Sequence, residues 1–204
     1  MSRFDDLVDG GFDHLRGRPV VDRVFYTATE LGDFSLIWLI LGALRGLRSE
    51  RDWHAAVRLG LALGADSFLV NALIKSVFRR RRPVTEMVHP HHFRRPLTTS
   101  FPSGHATSAF SAAILLSEDD VLWPLYLAVA VIVASSRVHV RIHHASDVVG
   151  GAVIGVALGL LIRKVAPLPP ARTVLPVAAT KSESTEPTES GASTGPPVPG
   201  AEPS

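Results

Sequence analysis

The sequence has no cysteine and only two methionines and two tyrosines among its 204 residues. The lack of cysteine excludes a disulfide scaffold, a zinc–thiolate site and a cysteine nucleophile. It says nothing about compartment, because proteins on either side of a membrane can lack cysteine. The chain also lacks a large excess of either charge, since 21 Lys and Arg stand against 19 Asp and Glu for a formal net charge of +2. We expect no nucleic-acid partner.

Apolar residues are abundant, at 46% of the chain, although their distribution is uneven. Residues 167–204 hold 9 of the 15 prolines and no Phe, Tyr or Trp, so we predict a disordered tail. Residues 1–30 place Phe4, Leu7 and Phe12 at helical spacing among charged residues, which predicts an amphipathic N-terminal segment. Residues 31–166 are then left to form one domain, and the length argues against a multidomain soluble enzyme.

Five apolar stretches fill this domain, at residues 31–47, 55–78, 103–116, 121–136 and 146–162. A membrane-spanning helix needs about 20 residues. The second stretch reaches that length, and a turn added from the flanking residues extends the others towards it. We predict an all-α fold: an integral membrane helical bundle of five transmembrane helices, or six, with an amphipathic N-terminal helix. The alternative is that the stretches are buried core helices of a soluble protein.

Glycines recur every fourth residue in the fifth stretch, at Gly151, Gly155 and Gly159. This spacing puts them on one helix face and lets a neighbouring backbone approach closely. We expect this seam to pack against another helix of the same chain rather than to form a dimer. The oligomeric state itself is not predicted.

Three polar clusters lie at the ends of apolar stretches that alternation places on one side of the membrane. The first is Lys75 with Arg82-Pro83, the second is Pro102-Ser103-Gly104-His105, and the third is Ser136-Arg137 with His143 and Asp147. Together they supply three cations, two imidazoles, one carboxylate and the start of a helix.

The cations and the helix start are suited to binding phosphate. Lys75, Arg82 and Arg137 can surround a dianion, because Arg offers planar paired donors and Lys a movable point charge. Ser103 and Gly104 begin a helix, where free backbone N–H groups and the positive end of the helix dipole favour an anion. Gly104 has no side chain, so its backbone can approach the phosphate.

The histidines add acid, base and nucleophile chemistry near neutral pH. Asp147 follows His143 by one helical turn, so its carboxylate can hold one ring nitrogen protonated and direct the other at a substrate. His105 then remains for proton transfer. These residues therefore form a candidate site for phosphoryl transfer.

The three clusters, with their intervals of six, five and three residues, resemble the signature of the type 2 phosphatidic acid phosphatase (PAP2) superfamily. The resemblance covers residues 31–162. It implies that His143 attacks phosphorus and forms a phosphohistidine, that Asp147 orients His143, and that His105 protonates the leaving oxygen. It further implies that the phosphoryl oxygens bind a set of five residues: Lys75, Arg82, Ser103, Gly104 and Arg137. No metal and no cofactor are implied.

The resemblance implies a membrane lipid phosphatase acting on a phosphomonoester or a diphosphate. We expect a polyprenyl phosphate substrate of the undecaprenyl or decaprenyl type. We also expect a multi-pass protein of the cell membrane whose active site faces the extracytoplasmic side. Phosphatidate or phosphatidylglycerophosphate is the alternative substrate. Two alternatives come from other classes: a vanadate-dependent haloperoxidase-like protein, and a non-catalytic lipid-binding or transport protein.

Other polar residues receive structural interpretations. We interpret His89, His91 and His92 as a solvated loop rather than a metal site, and His139 as a structural residue. Arginines 79–81 are interpreted as anchors to anionic lipid. Asp66 lies within an apolar stretch, where a carboxylate is usually paired or faces a cavity. We expect it to pair with an arginine such as Arg58, and the alternative is that it lines a polar path.

Overall fold

The computed structural model describes residues 2–69, 80–83 and 99–170, and every structural statement below concerns these residues. They are helical and contain no β-strand, which confirms the predicted all-α class for this part of the chain. Seven α-helices are described: α1 (Arg3–Asp13), α2 (Pro19–Gly32), α3 (Leu36–Gly46), α4 (Glu50–Phe68), α5 (Gly104–Leu116), α6 (Trp123–His139) and α7 (Ala145–Val165). Lys75, the three loop histidines and the tail from residue 171 onward lie outside the described residues.

Helix α5 lies at the centre of the bundle. Its sequence is rich in alanine, and eight of its residues are buried: Ala106, Thr107, Ala109, Ser111, Ala112, Ala113, Leu115 and Leu116. Small side chains let neighbouring helices approach its backbone closely. The glycine seam of α7 uses this access, because a Cβ at Gly155 would lie 2.3 Å from the carbonyl oxygen of Thr107. The expectation that the seam packs within one chain is therefore confirmed.

Two helical stretches are long and apolar enough to cross a membrane, residues 19–46 and residues 145–165. Helices α5 and α6 are apolar but shorter. Large apolar side chains also face outward, among them Leu61 at 72% exposure and Val153 at 65%. Exposed apolar surface of this kind is typical of a lipid or protein contact. The predicted count of five or six spans is not confirmed, since only two of the described stretches meet the criterion.

The chain is kinked between α2 and α3 by a short 3₁₀ turn, Asp33–Ser35. Phe34 and Ser35 have φ angles of 53° and 59°, in the left-handed region that non-glycine residues rarely adopt. The kink follows Gly32, where a Cβ would lie 2.8 Å from His105 Cδ2. The end of α2 therefore lies against the start of α5, and Asp33 lies beside His105.

The bundle has two polar ends. The catalytic end is the end of the bundle at which α5 begins, α6 ends and α7 begins. The far end contains the α3–α4 turn and the α5–α6 loop, residues 117–122. Arg58, in α4, donates to Glu118 at the far end, so the expected pairing of Arg58 with Asp66 is wrong. Asp66 is nevertheless buried, at 3% exposure.

Candidate active site

His143 lies in the loop that joins α6 to α7 and is 3% exposed. Its backbone N–H donates to the carbonyl oxygen of Arg137 at 3.1 Å, which folds the loop back onto the end of α6. Arg82 Nη1 lies 3.1 Å from His143 Nε2 and also 3.1 Å from the carbonyl oxygen of Ile142. A guanidinium can only donate, so Nε2 accepts this hydrogen bond and the ring proton belongs on Nδ1. His143 is thus held as the neutral tautomer whose Nε2 carries a lone pair.

The charge environment of His143 favours the same form. Burial lowers the pKa of His143 to about 3, and the nearby charges of Arg137 and Arg82 act in the same direction. Asp147 opposes them without reversing the shift. At neutral pH the imidazole is therefore unprotonated at Nε2, which is the condition for attack on phosphorus.

Asp147 lies in the first turn of α7 and is completely buried. Its Oδ2 is 3.8 Å from His143 Nδ1, which is too long for a hydrogen bond, and Nδ1 has no other partner among the described residues. The same Oδ2 accepts from Ser100 Oγ and from the backbone N–H of His144 at 2.9 Å. The carboxylate is therefore fixed on the Nδ1 side of the ring, as the orienting role requires. Catalytic hydrogen bonds are often long before substrate binds.

Arg137 is buried at the end of α6, at 2% exposure. Its Nη1 donates to Thr29 Oγ1 at 3.3 Å, and Thr29 Oγ1 also lies 2.7 Å from Ser136 Oγ. Nε has no hydrogen-bond partner in the described part of the chain. Asp33 is near enough to attract the guanidinium electrostatically, but none of the described carboxylates forms an ion pair with it. A buried cation with spare donors is suited to an incoming anion.

Helix α5 begins where the sequence predicts. Ser103 is its N-cap, with Oγ accepting from the backbone N–H of Ala106, and Gly104 is its first residue. The Ser103 N–H donates to the carbonyl oxygen of Asp147 at 3.0 Å, which joins the starts of α5 and α7. Gly104 therefore lies at the catalytic end, and it has no side chain to cover its backbone N–H.

His105 is joined to a carboxylate that the sequence analysis did not single out. Its Nε2 lies 2.9 Å from Asp33 Oδ1, and the side chain of Asp33 is 43% exposed. The only sequence signal was the dipeptide Gly32-Asp33 at the edge of the first apolar stretch, which is typical of a turn. The site therefore contains two histidine–carboxylate pairs rather than one.

The prediction that Arg80 is an anchor to anionic lipid is wrong. Its Nη1 donates to Asp147 Oδ1 at 2.7 Å, and its Nη2 donates to Asp5 Oδ2 at 2.8 Å. It is a partner of buried carboxylates rather than a lipid anchor. Arg81 is exposed, as an anchor would be, and Arg79 lies outside the described residues.

The remaining histidines near the site have structural contacts. His139 Nε2 lies 2.8 Å from Asp22 Oδ1, and its ring stacks on Phe25 with 4.5 Å between centroids. His144 is the N-cap of α7. No group of three or more His, Asp or Glu suited to a metal ion occurs within residues 2–69, 80–83 and 99–170. The described members of the predicted site are thus gathered at one end of the bundle, and Lys75 lies outside the description.

Comparison with known proteins groups this chain with phosphatases. The family model of the PAP2 superfamily matches residues 55–168. The decaprenylphosphoryl-5-phosphoribose phosphatase of Mycobacterium tuberculosis is 34% identical over 157 residues, which cover 72% of this chain and 84% of that protein. The undecaprenyl-diphosphatase BcrC of Bacillus subtilis is 31% identical over 144 residues, which cover 68% and 70% of the two chains.

A solved structure has the same fold. The crystal structure of a transmembrane PAP2-type phosphatidylglycerolphosphate phosphatase from Bacillus subtilis aligns with a TM-score of 0.60. The alignment covers 80% of this chain and 87% of the other at 23% identity. At that identity the likeness concerns the helical architecture alone.

Proposed function

The chain belongs to the PAP2 superfamily, and from that membership we propose that it removes a phosphate from a polyprenyl-linked phosphate through a phosphohistidine at His143. As a member of this family it is a phosphoric ester hydrolase and a membrane protein.

One observation carries the proposed mechanism: a buried neutral imidazole with its Nε2 beside Arg82, at the catalytic end that also holds Arg137. Arg82 lies 3.1 Å from His143 Nε2, and Arg137 exerts an electrostatic effect on the same ring. A phosphoryl group in this space meets a nucleophile and two cations at once. Fixed donors aimed at developing phosphoryl charge stabilise the transition state more effectively than water does.

In the first step, the lone pair of His143 Nε2 forms a bond to phosphorus while the bond from phosphorus to the lipid-side oxygen breaks. The leaving oxygen takes a proton from His105, and Asp33 holds that imidazole in place. His143 acquires positive charge as the new bond forms, and the carboxylate of Asp147 stabilises it from the Nδ1 side. Arg82, Arg137, Ser103, the Gly104 amide and Lys75 bind the three phosphoryl oxygens.

In the second step, water attacks phosphorus and gives a proton to His105. The phosphorus–nitrogen bond breaks, and its electron pair returns to Nε2. Inorganic phosphate leaves, and both histidines regain their starting protonation states. The cycle therefore balances in protons and charge without any group beyond the chain, the substrate and water.

The lipid class follows from the surface and from the relatives. The outward-facing apolar residues suit an enzyme whose substrate keeps its chain in the bilayer. The two relatives described above, which are 34% and 31% identical to this chain, carry names with polyprenyl substrates. We therefore favour a polyprenyl phosphate over a phosphatidate or phosphatidylglycerophosphate.

For topology, we propose five crossings, made by α2 with α3, by α4, and by α5, α6 and α7. The site would face the extracytoplasmic side. Because the chain has no cysteine, single cysteines can report sidedness without background labelling. An Arg81→Cys variant should react with a membrane-impermeant maleimide on intact cells, whereas Asp119→Cys, at the far end, should react only after permeabilisation. The reverse pattern would place the site in the cytoplasm.

The substrate is tested by phosphate release from a panel of detergent-solubilised lipids. The panel holds a decaprenylphosphoryl phosphosugar, undecaprenyl diphosphate, phosphatidylglycerophosphate and phosphatidate. We expect a higher kcat/KM for one of the polyprenyl compounds than for either glycerolipid. Faster release from a glycerolipid would reject the polyprenyl assignment and leave the chemistry intact.

The mechanism is tested with His143→Ala and a matched control, His54→Ala, which changes an exposed histidine of α4. The first should abolish release and the second should leave it unchanged. Brief reaction with ³²P-labelled substrate and an alkaline quench should trap phosphohistidine on the wild type only. Vanadate should inhibit, and a chelator should not. Activity retained in His143→Ala, or lost on chelation, would reject the mechanism.

A further inference from the structure

Helix α1 lies outside residues 55–168, the part matched by the family model, yet it carries a buried carboxylate at the catalytic end. Asp5 is 1% exposed, whereas its neighbour Asp6 is exposed. An isolated buried carboxylate is costly, so the contacts that Asp5 makes require an explanation.

The first set of contacts joins Asp5 to the start of α7. Asp5 Oδ1 accepts from the Ser146 backbone N–H at 2.8 Å and from Ser146 Oγ at 2.7 Å. Burial alone would raise the pKa of Asp5, but the hydrogen bonds from Ser146, Ser2 and Arg80 outweigh it and lower the pKa. Asp5 is therefore a carboxylate anion that satisfies a free N–H at the N-terminus of α7.

The second contact passes through Arg80. One guanidinium nitrogen donates to Asp5 and the other to Asp147, at 2.8 and 2.7 Å. The Nη1 atom that binds Asp147 also donates to Ser146 Oγ at 2.7 Å. A planar guanidinium fixes the relative position of two carboxylates in a way that a single ammonium cannot.

The result is a chain of contacts from the N-terminal helix to the proposed nucleophile. Arg80 binds Oδ1 of Asp147, so Oδ2 is the oxygen that faces His143 Nδ1, at 3.8 Å. Ser100 and the His144 N–H hold Oδ2, so Arg80, anchored on Asp5, supplies the contact that fixes Oδ1. Without it, the Asp147 carboxylate is held at one oxygen only.

We propose that Asp5 and Arg80 are positioning residues for phosphoryl transfer, which hold Asp147 in the orientation that directs His143 at phosphorus. The proposal rests on the proposed function, because it needs His143 as nucleophile. It makes the N-terminal helix part of the catalytic apparatus rather than only a membrane-surface element. Neither residue touches the phosphate, so their loss should act on the chemical step and not on binding.

The test uses the full chain in detergent and compares kcat, KM, the thermal midpoint and the pH profile of four single variants. Asp5→Asn and Arg80→Gln break the chain of contacts. Asp6→Asn and Arg81→Gln change their exposed neighbours and serve as matched controls. We expect kcat to fall about 10-fold or more in the first pair, because a misplacement of the reacting groups by about 1 Å can cost about 10²-fold in rate. KM should change little, and the controls should behave as wild type.

Two further readouts separate positioning from a purely structural role. Arg80→Gln leaves two carboxylates near His143 without their shared cation, which favours protonation of the His143 imidazole. The acid limb of the kcat/KM profile should therefore move to higher pH. Adding Asp5→Asn to Arg80→Gln should reduce that movement and cause no further loss of kcat, because the two residues act as one unit. Arg80→Lys keeps the charge and should recover part of the rate.

The proposal fails if folded Asp5→Asn and Arg80→Gln retain wild-type kcat, or if only their thermal midpoints fall. It also fails if the double variant multiplies the two losses. If Arg80→Gln does not fold, the same measurements on Arg80→Lys and Asp5→Asn test the proposal instead. A wild-type protein that releases no phosphate from any lipid would instead reject the proposed function, so the two failures are distinguishable.

Discussion

The two ends of the helix bundle both bury an arginine but treat it differently. At the far end, Arg45 is nearly inaccessible and donates to Asp52 at 2.7 Å and to the carbonyl oxygens of Leu116 and Glu118 at 2.6 and 2.9 Å. At the catalytic end, Arg137 is equally buried, and its one hydrogen bond within the described residues goes to the hydroxyl of Thr29.

The difference shows what each end is built for. The far end adds Arg48, Arg51, Arg58 and Arg163, and each of these arginines forms an ion pair with Asp119, Asp120 or Glu118. Its charges are matched inside the chain, so their removal should affect folding. The catalytic end keeps buried positive charge that an incoming phosphate can match, so its removal should affect turnover.

Replacing Arg45 with Gln should cause the largest change in stability. The variant removes the buried cation that binds Asp52 and the carbonyl oxygens of Leu116 and Glu118. Breaking a buried pair on one side costs about 3–5 kcal/mol. We expect a large fall in the thermal midpoint in detergent, measured by intrinsic fluorescence, while kcat of the folded fraction stays at the wild-type value. A fall in kcat without a fall in stability would contradict the division between the two ends.

Replacing Arg137 with Gln should produce the opposite result. One donor to the developing phosphoryl charge is lost, which typically costs about 10²–10³ in kcat. The thermal midpoint should be unchanged or higher, because the buried cation that is removed forms no ion pair with a described carboxylate. Phosphate release and thermal unfolding, measured on the same preparation, check the expected fall in kcat and the expected thermal midpoint. Equal instability in Arg137→Gln and Arg45→Gln would show that the ends do not differ.

Replacing Asp33 with Asn should cause a smaller, substrate-dependent loss. Asp33 holds His105, whose proposed task is to protonate the leaving oxygen. A lipid alkoxide needs that proton, whereas p-nitrophenolate leaves without it. We expect kcat to fall about 10-fold for an alkyl phosphate and much less for p-nitrophenyl phosphate. A uniform loss with both substrates would remove Asp33 from proton transfer.

The contrast between the ends also explains what the sequence could predict. The residues of the three clusters follow a fixed spacing, and their described members all lie at the catalytic end. The helix starts at Gly104 and Ala145 and the glycine seam follow from local pattern as well. These features depend on neighbours within one turn or one motif.

Long-range partners were not predictable in the same way. Asp33 and His105 are 72 positions apart, and Asp5 and Arg80 are 75 apart. Nothing in the local pattern distinguishes Asp5 from Asp6, or Arg80 from Arg81. The packing of α1 on the start of α7 selects Asp5 and Arg80 over their neighbours, and the kink at Phe34 brings Asp33 to His105. The pairing of Arg58 with Glu118 rather than Asp66 was missed for the same reason.

Acid should weaken the far end through Asp120. Burial alone would raise the pKa of Asp120, but hydrogen bonds from Arg48, the Leu122 N–H and Tyr126 lower it below the usual 3.8. A depressed pKa in the folded state gives stability that is present above pH 3.8 and is lost as pH falls further. We expect Asp120→Asn to lower the thermal midpoint at pH 7 and to lose less stability than wild type on acidification. Identical acid profiles for the variant and the wild type would show that Asp120 is not a source of the stability lost in acid.

The smallest effect should come from Arg51, at the outer edge of the far end. Its ion pair with Asp119 is short, at 2.6 Å, but the two side chains are 23% and 67% exposed. Exposed ion pairs contribute about 0–1 kcal/mol, because water and salt screen them. We expect Arg51→Gln to leave kcat unchanged and to shift the thermal midpoint far less than Arg45→Gln, with the small difference vanishing at high salt. A shift as large as that of Arg45→Gln would mean that pairing alone, and not burial, makes the far end stable.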